Sequence, residues 1–148
     1  DFELTGIGYA NEIHPSLSGI SRDGQALGQA MQKAMNEAGC TPDLIIPHAP
    51  GTRAGDQAEL KAFQRIFSDQ IPPVYSGKWA TGHTFGASGP LGLDLALTIL
   101  EEQKVPKLPY SLRPGLAEWQ QENPLNTVMI NATGFGGNAV SLMVRKVN

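Results

Sequence analysis

The sequence predicts an α/β fold in which a mixed, mostly parallel sheet carries helices on both of its faces. Strand-like and helix-like patterns alternate along the 148 residues, and this alternation is typical of parallel strands joined by helices. A glycine-rich turn at 134–137 separates the last two strand-like runs, which predicts a hairpin that adds an antiparallel edge. The run at 91–100 is apolar on every side of a helix, which predicts a buried helix at the centre of the fold.

The first half of the chain contains two predicted strands and two predicted helices. In order, these are a strand at 2–10, a loop at 11–21, a helix capped at 21–24 and ending near 38, a strand at 44–46 and a helix at about 55–67. Gly39 closes the first helix in the way that is typical of a C-terminal glycine. The short apolar strand runs into a proline-containing loop that carries His48, so we expect this histidine at the end of a buried strand.

The second half is organised around a glycine-rich segment at 78–89. Its glycines permit tight turns, so we expect the imidazole of His83 at the start of a helix rather than along one. The other predicted elements are a very short strand at 74–76, the apolar helix at 91–100, an ordered loop at 105–123 and strands at 127–131 and 139–147. Ligand sites in open α/β sheets gather at the carboxyl ends of strands, which directs attention to the loops that carry the two histidines.

Composition excludes several classes of protein. The chain has 11 Lys and Arg against 14 Asp and Glu, a net charge of -3 and no basic cluster, which argues against a nucleic-acid partner. Its single cysteine, Cys40, excludes an internal disulfide framework and favours a reducing, cytoplasmic compartment. The apolar run at 91–100 is too short to span a bilayer. Because the chain begins at Asp1 directly in a strand-like run, we expect further sequence upstream of it.

The two histidines have a chemical interpretation if their loops converge. Neutral imidazole N–H groups are suitable donors to a carbonyl oxygen that becomes an oxyanion or an enolate. A histidine considered alone is more often a packed or capping residue. The pairing of His48 and His83 with glycine-rich strand ends favours the catalytic interpretation.

Three motifs resemble those of the β-ketoacyl synthases, the condensing enzymes of fatty-acid and polyketide synthesis. Residues 48–56, His-Ala-Pro-Gly-Thr-Arg-Ala-Gly-Asp, are similar to the family pattern His-Gly-Thr-x-Thr-x-x-Gly-Asp. Residues 78–89 are similar to Lys-x-x-x-Gly-His-x-x-Gly-Ala-x-Gly, and residues 131–137 to Asn-x-Phe-Gly-Phe-Gly-Gly. One short glycine-rich motif is weak evidence of kinship, but three in the family's order are specific, and together the resemblance covers essentially the whole chain.

The resemblance implies that residues 1–148 form the C-terminal half of a thiolase fold, which is half of a five-layered α-β-α-β-α sandwich. It implies a decarboxylative Claisen condensation of acyl and malonyl thioesters, with the nucleophilic cysteine on an N-terminal half outside this chain. The substrates would be carried on the phosphopantetheine of an acyl carrier protein, with no other cofactor and no metal. The complete unit would pair as a homodimer or as a heterodimer of synthase and chain-length factor. The alternative is half of a non-catalytic subunit that resembles a chain-length factor.

The resemblance also assigns catalytic roles. His48 and His83 would hydrogen-bond the thioester carbonyl of the extender unit and stabilise the enolate. Lys78 would orient the His83 loop through a carboxylate such as Glu59, because a buried lysine needs a partner. Asp56, like Glu59, would be a supporting residue of the site.

Substrate-binding roles follow from the other motif positions. Thr52 would hold the phosphopantetheine arm, whereas outside the family it would be a simple turn hydroxyl. Phe135, between Gly134 and Gly136, would be the gating aromatic and would line the same cavity as the histidines.

The chain departs from the family pattern at several positions. Pro50 stands where the family has its first pantetheine-contacting threonine, and Ala49 and Thr133 replace a glycine and a phenylalanine. Asn138 replaces the usual threonine after the glycine turn. Cys40 follows a helix end and is expected to be a structural thiol rather than the nucleophile.

Overall fold

The computed structural model describes residues 1–13, 22–120 and 124–147. Its elements are β1 (Phe2–Asn11), α1 (Gln25–Ala38), β2 (Leu44–Ile46), α2 (Arg53–Phe67), α3 (Lys78–Thr81), a 3-10 turn (Phe85–Ala87), α4 (Ser88–Glu102), β3 (Thr127–Thr133) and β4 (Asn138–Lys146). Most of the predicted loop at 11–21, its capping residue Ser21 and the end of the predicted loop at 105–123 lie outside the described residues. The predicted strand at 74–76 is reduced to a single bridge from Val74 to Ile45.

The four strands form one mixed sheet in the order β1-β4-β3-β2. β4 is antiparallel to both β1 and β3, and β2 is parallel to β3. The α/β class is confirmed, but the expectation of a mostly parallel sheet with the hairpin at its edge is wrong. The hairpin of β3 and β4 lies inside the sheet and β1 forms the edge, because β1 pairs with the last strand of the chain instead of lying beside β2.

Alternation along the strands gives the sheet two apolar faces, each covered by helix. Toward α1 and α2, the buried cluster includes Met31, Ile45, Phe63, Met129 and Met143. Toward α4, it includes Leu44, Ile46, Ala96, Ile99, Leu100, Val128 and Ile130. Successive residues such as Leu44 and Ile45 therefore belong to opposite clusters, as the pleat of a strand requires. The prediction of helices on both faces is confirmed.

Two glycines bring β1 against α1. A Cβ atom on Gly6 would lie 2.1 Å from the carbonyl oxygen of Ala34, and one on Gly8 would lie 1.8 Å from that of Ala30. No side chain fits at either position. These glycines weaken the strand pattern in the sequence, but in the structure they allow the strand and the helix to pack backbone to backbone.

Side chains of α1 also reach the outer edge of β1. The carboxylate of Glu37 accepts the N–H of Ile7 at 2.8 Å. The ammonium of Lys33 donates to the carbonyl oxygen of Tyr9, also at 2.8 Å. These backbone groups belong to alternate residues of β1 and point away from β4, so part of the edge of the sheet is already paired.

The described residues cover only part of the sheet face that carries α4. Ala96, Ile99 and Leu100 of α4 are buried, but Leu91 is 44% exposed, so the described residues do not bury this helix on every side. On β1, three apolar side chains are about half exposed: Leu4, Ile7 and Tyr9.

The three exposed side chains of β1 lie on one face because of a bulge in the strand. They pair across the sheet with Val144, Leu142 and Val140; Val144 and Leu142 belong to the cluster beneath α4, and alternation along β4 puts Val140 on the same face. A register shift between Leu4 and Gly6 keeps Leu4 and Ile7 on the same face although three positions separate them. We call Leu4, Ile7, Tyr9 and Leu91 the apolar face. Within the described ranges, no helix is both long enough and apolar enough to cross a membrane.

Candidate active site

Two histidines meet at the carboxyl end of the sheet. His48 follows β2 after one proline, and His83 lies between α3 and the 3-10 turn. Their Nε2 atoms are 3.4 Å apart, and their rings meet edge to face with centroids separated by 5.0 Å. The predicted convergence of the two loops is confirmed.

A backbone contact defines the tautomer of His83. The N–H of Phe85 donates to Nδ1 of His83 at 3.2 Å. An Nδ1 atom that accepts a hydrogen bond carries no proton, so in the neutral ring the proton is on Nε2. His83 therefore presents an N–H donor toward His48.

His48 is buried and neutral. Only 8% of it is exposed, and its Nδ1 atom has no hydrogen-bond partner among the described residues. Burial lowers the pKa of His48 from 6.5 to about 3, and the nearby Lys78 and His83 add to this effect. An imidazole of this kind remains uncharged near pH 7 and can donate or accept a hydrogen bond there.

Glu59, on α2, holds the backbone that carries His48. Its two carboxylate oxygens accept the N–H of His48 at 2.8 Å and the N–H of Ala49 at 2.7 Å. Burial raises the pKa of Glu59, and the two backbone N–H groups and Lys78 oppose that rise. Ala49 has a positive φ of 36°, which is uncommon for a residue with a side chain. Glu59 therefore fixes His48 through a strained turn rather than through the imidazole.

Lys78 acts on the same turn from the other side. Its ammonium donates a hydrogen bond to the carbonyl oxygen of His48. Burial lowers the pKa of Lys78, and the carboxylates of Glu59 and Asp56 counteract this shift. No direct ion pair joins Lys78 to Glu59 in the part of the chain that is described, although their opposite charges interact. Instead, both side chains bind the backbone at His48.

Two polar residues of the first motif shape the loop after His48. The hydroxyl of Thr52 caps α2 by accepting the N–H of Gly55 at 3.2 Å. One oxygen of Asp56 accepts the N–H of Gly51 at 3.0 Å. A Cβ atom on Gly55 would lie 2.5 Å from the ring of Pro50, so the proline packs directly on this glycine. Thr52 and Asp56 thus stabilise the loop, whatever further contact they make.

The third motif forms the turn between β3 and β4. The N–H of Gly134 donates to the carbonyl oxygen of Asn138 at 3.0 Å. Gly136 and Gly137 have φ angles of 82° and 87°, which glycine adopts without strain. Phe135 points outward from this turn and is 62% exposed.

A cavity of about 370 Å³ is lined by His83 and by the residues that follow His48. Its lining residues are Ala49, Pro50, Gly51, Asp56, Ser76, Lys78, Trp79, His83 and Tyr110. The structure contradicts the expectation that Phe135 lines this cavity, because Phe135 is absent from the lining and is mostly exposed. Sequence reasoning missed Trp79 and Tyr110. Trp79 could have been found from its place between Lys78 and His83, whereas Tyr110 lies in a loop without a pattern.

Cys40 lies far from this cavity. It is exposed and follows α1 at the end of β2 opposite to His48. The three residues of β2 separate the two ends by about 10 Å of strand. Within the described ranges, no group of three or more His, Cys, Asp and Glu side chains could hold a metal ion.

Comparison with known proteins identifies relatives along the whole chain. The family described as Beta-ketoacyl synthase, C-terminal domain, matches residues 2–110. The 3-oxoacyl-(acyl-carrier-protein) synthase 1 of Haemophilus influenzae is 30% identical over an alignment that covers 99% of this chain and 37% of that protein. The corresponding synthase 2 of Mycobacterium leprae is 32% identical over 81% of this chain and 31% of that protein. The chain thus spans about a third of the length of these relatives.

Solved structures show the same fold. A chain in the complex of a ketosynthase with its chain length factor, from Xenorhabdus doucetiae, matches with a TM-score of 0.84 and 28% identity over 99% of this chain and 39% of that chain. A β-ketoacyl synthase of Burkholderia phymatum matches with a TM-score of 0.83 and 26% identity, over 99% of this chain and 38% of that chain. The thiolase-like half predicted from the motifs is confirmed, and the chain belongs to the β-ketoacyl synthase family, whose C-terminal domain it contains.

Proposed function

We propose that the protein carrying this chain is a β-ketoacyl synthase that condenses acyl and malonyl thioesters with loss of carbon dioxide. The observation that carries the proposal is the 3.4 Å separation of the Nε2 atoms of His48 and His83. Two atoms this far apart can both lie about 2.9 Å from one oxygen, the distance of a normal N–H···O bond. The pair can therefore bind a single carbonyl oxygen from two sides when His48 carries its proton on Nε2 and the oxygen replaces the direct contact between the rings.

The chemistry follows from this geometry. Breaking the bond between the malonyl carboxylate and the α-carbon releases carbon dioxide and leaves the electron pair on an enolate. N–H donors at the enolate oxygen stabilise this charge as it develops. The enolate carbon then attacks an acyl thioester, whose sulfur leaves as a thiolate. We assign that sulfur to a cysteine of an N-terminal half, since Cys40 lies at the wrong end of the sheet.

The other site residues support the pair. Glu59 and Lys78 hold the His48 backbone, and burial keeps the imidazole uncharged. Thr52 contacts the phosphopantetheine arm with its hydroxyl hydrogen, since its oxygen already caps α2. Phe135, with Gly134 and Gly136, forms a gate outside the cavity described here. No cofactor beyond the carrier-bound phosphopantetheine is proposed.

The apolar face indicates what else the protein needs. Leu4, Ile7, Tyr9 and Leu91 expose apolar surface on one side of the sheet. We propose that an N-terminal thiolase-like half covers this face and completes a five-layered unit, which pairs as a homodimer or with a chain-length factor. An acyl carrier protein delivers the substrates, and the single cysteine favours the cytoplasm.

Malonyl decarboxylation by the complete protein tests the proposal. Replacing His48 or His83 by Gln should lower the rate by at least about 100-fold, the usual cost of losing one preorganised donor. Asn36→Ala is the control, because it removes an exposed hydrogen bond on α1, remote from the histidines. Unchanged decarboxylation in both histidine variants would refute the proposal.

The second candidate is a non-catalytic subunit that resembles a chain-length factor. The departures at Pro50 and Thr133 favour it, because they alter positions where the family contacts its substrate. This candidate predicts that the complete protein alone neither decarboxylates malonyl thioester nor condenses it. Activity would appear only with a separate ketosynthase, and it would survive His48→Gln.

A further inference from the structure

The two histidines differ in what binds their Nδ1 atoms. Nδ1 of His83 accepts the N–H of Phe85, the second residue after it, and this contact keeps the proton of His83 on Nε2. The second residue after His48 is Pro50, which has no N–H. Nδ1 of His48 is buried and has no hydrogen-bond partner among the described residues. Within this part of the chain, the contact that fixes one ring of the pair thus has no counterpart at the other.

The other backbone N–H groups of the loop at 48–51 are already bound. Three of its four residues direct their N–H groups to the carboxylates of Glu59 and Asp56 on α2, at 2.7 to 3.0 Å. The fourth residue, Pro50, has no N–H. A proline therefore stands at the one position of this loop whose N–H would not already be taken, which explains why the loop provides no donor to Nδ1 of His48.

The direct contact between the rings bears on which nitrogen of His48 carries the proton. His83 presents its N–H toward Nε2 of His48 at 3.4 Å. If His48 also carried its proton on Nε2, two donors would face each other and no hydrogen bond could form. A proton on Nδ1 makes Nε2 an acceptor but leaves a buried N–H that the described residues do not satisfy. These opposing costs bring the two tautomers close in free energy, so the group that faces Nε2 decides between them.

We propose that Pro50 leaves the tautomer of His48 unfixed, so that His48 accepts a hydrogen bond from His83 in the direct contact and becomes a donor only when a ligand oxygen replaces that contact. In this change Nε2 gains a proton from water and Nδ1 returns one to water, so the ring is neutral before and after. The inference rests on the proposed function, in which both rings donate to one carbonyl oxygen. Pro50 is then a positioning residue that weakens this function, because part of the free energy of binding is needed to move the proton.

Pro50→Ala in the complete protein is the test, because it restores a backbone N–H at the second residue after His48. Nitrogen chemical shifts of the imidazole, measured by NMR at neutral pH, distinguish a protonated from an unprotonated ring nitrogen. The protonated nitrogen of His48 should be Nδ1 in the unsubstituted protein and Nε2 in Pro50→Ala. Malonyl decarboxylation should accelerate about fivefold in this variant, the gain expected from one ordinary hydrogen bond.

Pro106→Ala is the matched control, because it restores an N–H at an exposed position outside the lining of the cavity. It should change neither the tautomer of His48 nor the rate. His83 should show a protonated Nε2 in all three proteins, which confirms that its contact with Phe85 is intact.

The unsubstituted protein tests the first step by itself. A proton on Nε2 of His48 in that protein overturns the proposal, whatever the variant does. A proton that stays on Nδ1 in Pro50→Ala overturns the role of Pro50, and so does a changed tautomer without a faster reaction. If the unsubstituted protein neither decarboxylates nor condenses malonyl thioester, the proposed function fails, and the NMR spectra still decide separately where the proton lies.

Discussion

The Nε2 atoms of His48 and His83 lie 3.4 Å apart although 35 positions separate the residues in the chain. One side chain, Lys78, lies at the start of the helix that leads to His83 and also binds the carbonyl oxygen of His48. Lys78 therefore links the backbone of His48 to the helix that precedes His83. This arrangement leads to predictions that can be tested independently of catalysis.

His48 should make the fold acid-sensitive. Between its usual pKa of 6.5 and its folded value of about 3, only the unfolded state binds the proton, so stability falls as the pH falls through this range. The loss from this one group should approach about 1.4 kcal/mol per pH unit. The free energy of unfolding by urea, measured from pH 7 to pH 4, should show a shallower acid decline in His48→Gln. Equal slopes in both proteins would contradict the low pKa.

Removing the charge of Lys78 should raise the pKa of His48, because the ammonium opposes protonation of the imidazole. The value should remain below 6.5, since burial is the larger cause. Titration of the His48 ring by NMR in Lys78→Met would measure the shift. Lys61→Met is the control, because Lys61 also donates to a backbone carbonyl, that of Arg22, at an exposed site. A lower or unchanged pKa of His48 in Lys78→Met would contradict the proximity of the ammonium to the imidazole.

Glu59→Gln should destabilise the protein by roughly 1–3 kcal/mol, because an amide group would face two backbone N–H donors and could accept only through its one oxygen. The free energy of unfolding measures the effect. The matched variant Glu37→Gln alters a carboxylate that accepts the N–H of Ile7 at the exposed edge of β1. Its effect should stay below about 0.5 kcal/mol. Similar losses of unfolding free energy in the two variants would show that the buried hydrogen bonds of Glu59 stabilise the fold no more than the exposed one of Glu37.

Ala49→Gly should stabilise the fold, by about 0.5–1 kcal/mol, since the positive φ of 36° strains a residue that has a Cβ atom. Ala54→Gly, in the first turn of α2, should do the opposite by a similar amount. Denaturant unfolding of the two variants gives the comparison. If both substitutions destabilise, the strain at Ala49 is negligible.

The apolar face should bind a hydrophobic dye in the isolated 148-residue chain. Ile7→Asp and Leu91→Asp should each reduce the dye fluorescence and weaken association with an added N-terminal half. Asn36→Asp provides the control, because Asn36 is exposed on α1, which packs on the opposite face of the sheet. A monomeric, stable chain that binds no dye would remove the case for a covering half.

The sequence predicts well those features that depend on local chemistry. The spacing of apolar residues located α1 and its closing Gly39, and the glycine-rich strand ends located both histidines. The strand order was not accessible, because local patterns do not report that β1 pairs with β4. The partner of Lys78 was missed for a similar reason: its acceptor is a backbone carbonyl, which every residue has.

For the motif residues too, the sequence predicted which residues matter but not their contacts. Thr52 was identified as functional, but its use as the cap of α2 depends on where the helix begins, two residues earlier than predicted. Phe135 was placed in the cavity on the basis of its motif, whereas the turn geometry directs it outward. A motif identifies which residues are special, and the backbone decides where their side chains point.

The hydrogen bonds from side chains of α1 to the backbone edge of β1 restrict how this protein can assemble. An unpaired strand edge ordinarily offers a template on which another chain can add a strand. Here Glu37 and Lys33 already occupy the N–H of Ile7 and the carbonyl of Tyr9. An incoming strand would have to displace both charged side chains before it could pair at these positions. Growth of the sheet across this edge is disfavoured, and association is directed to side-chain packing on its open face.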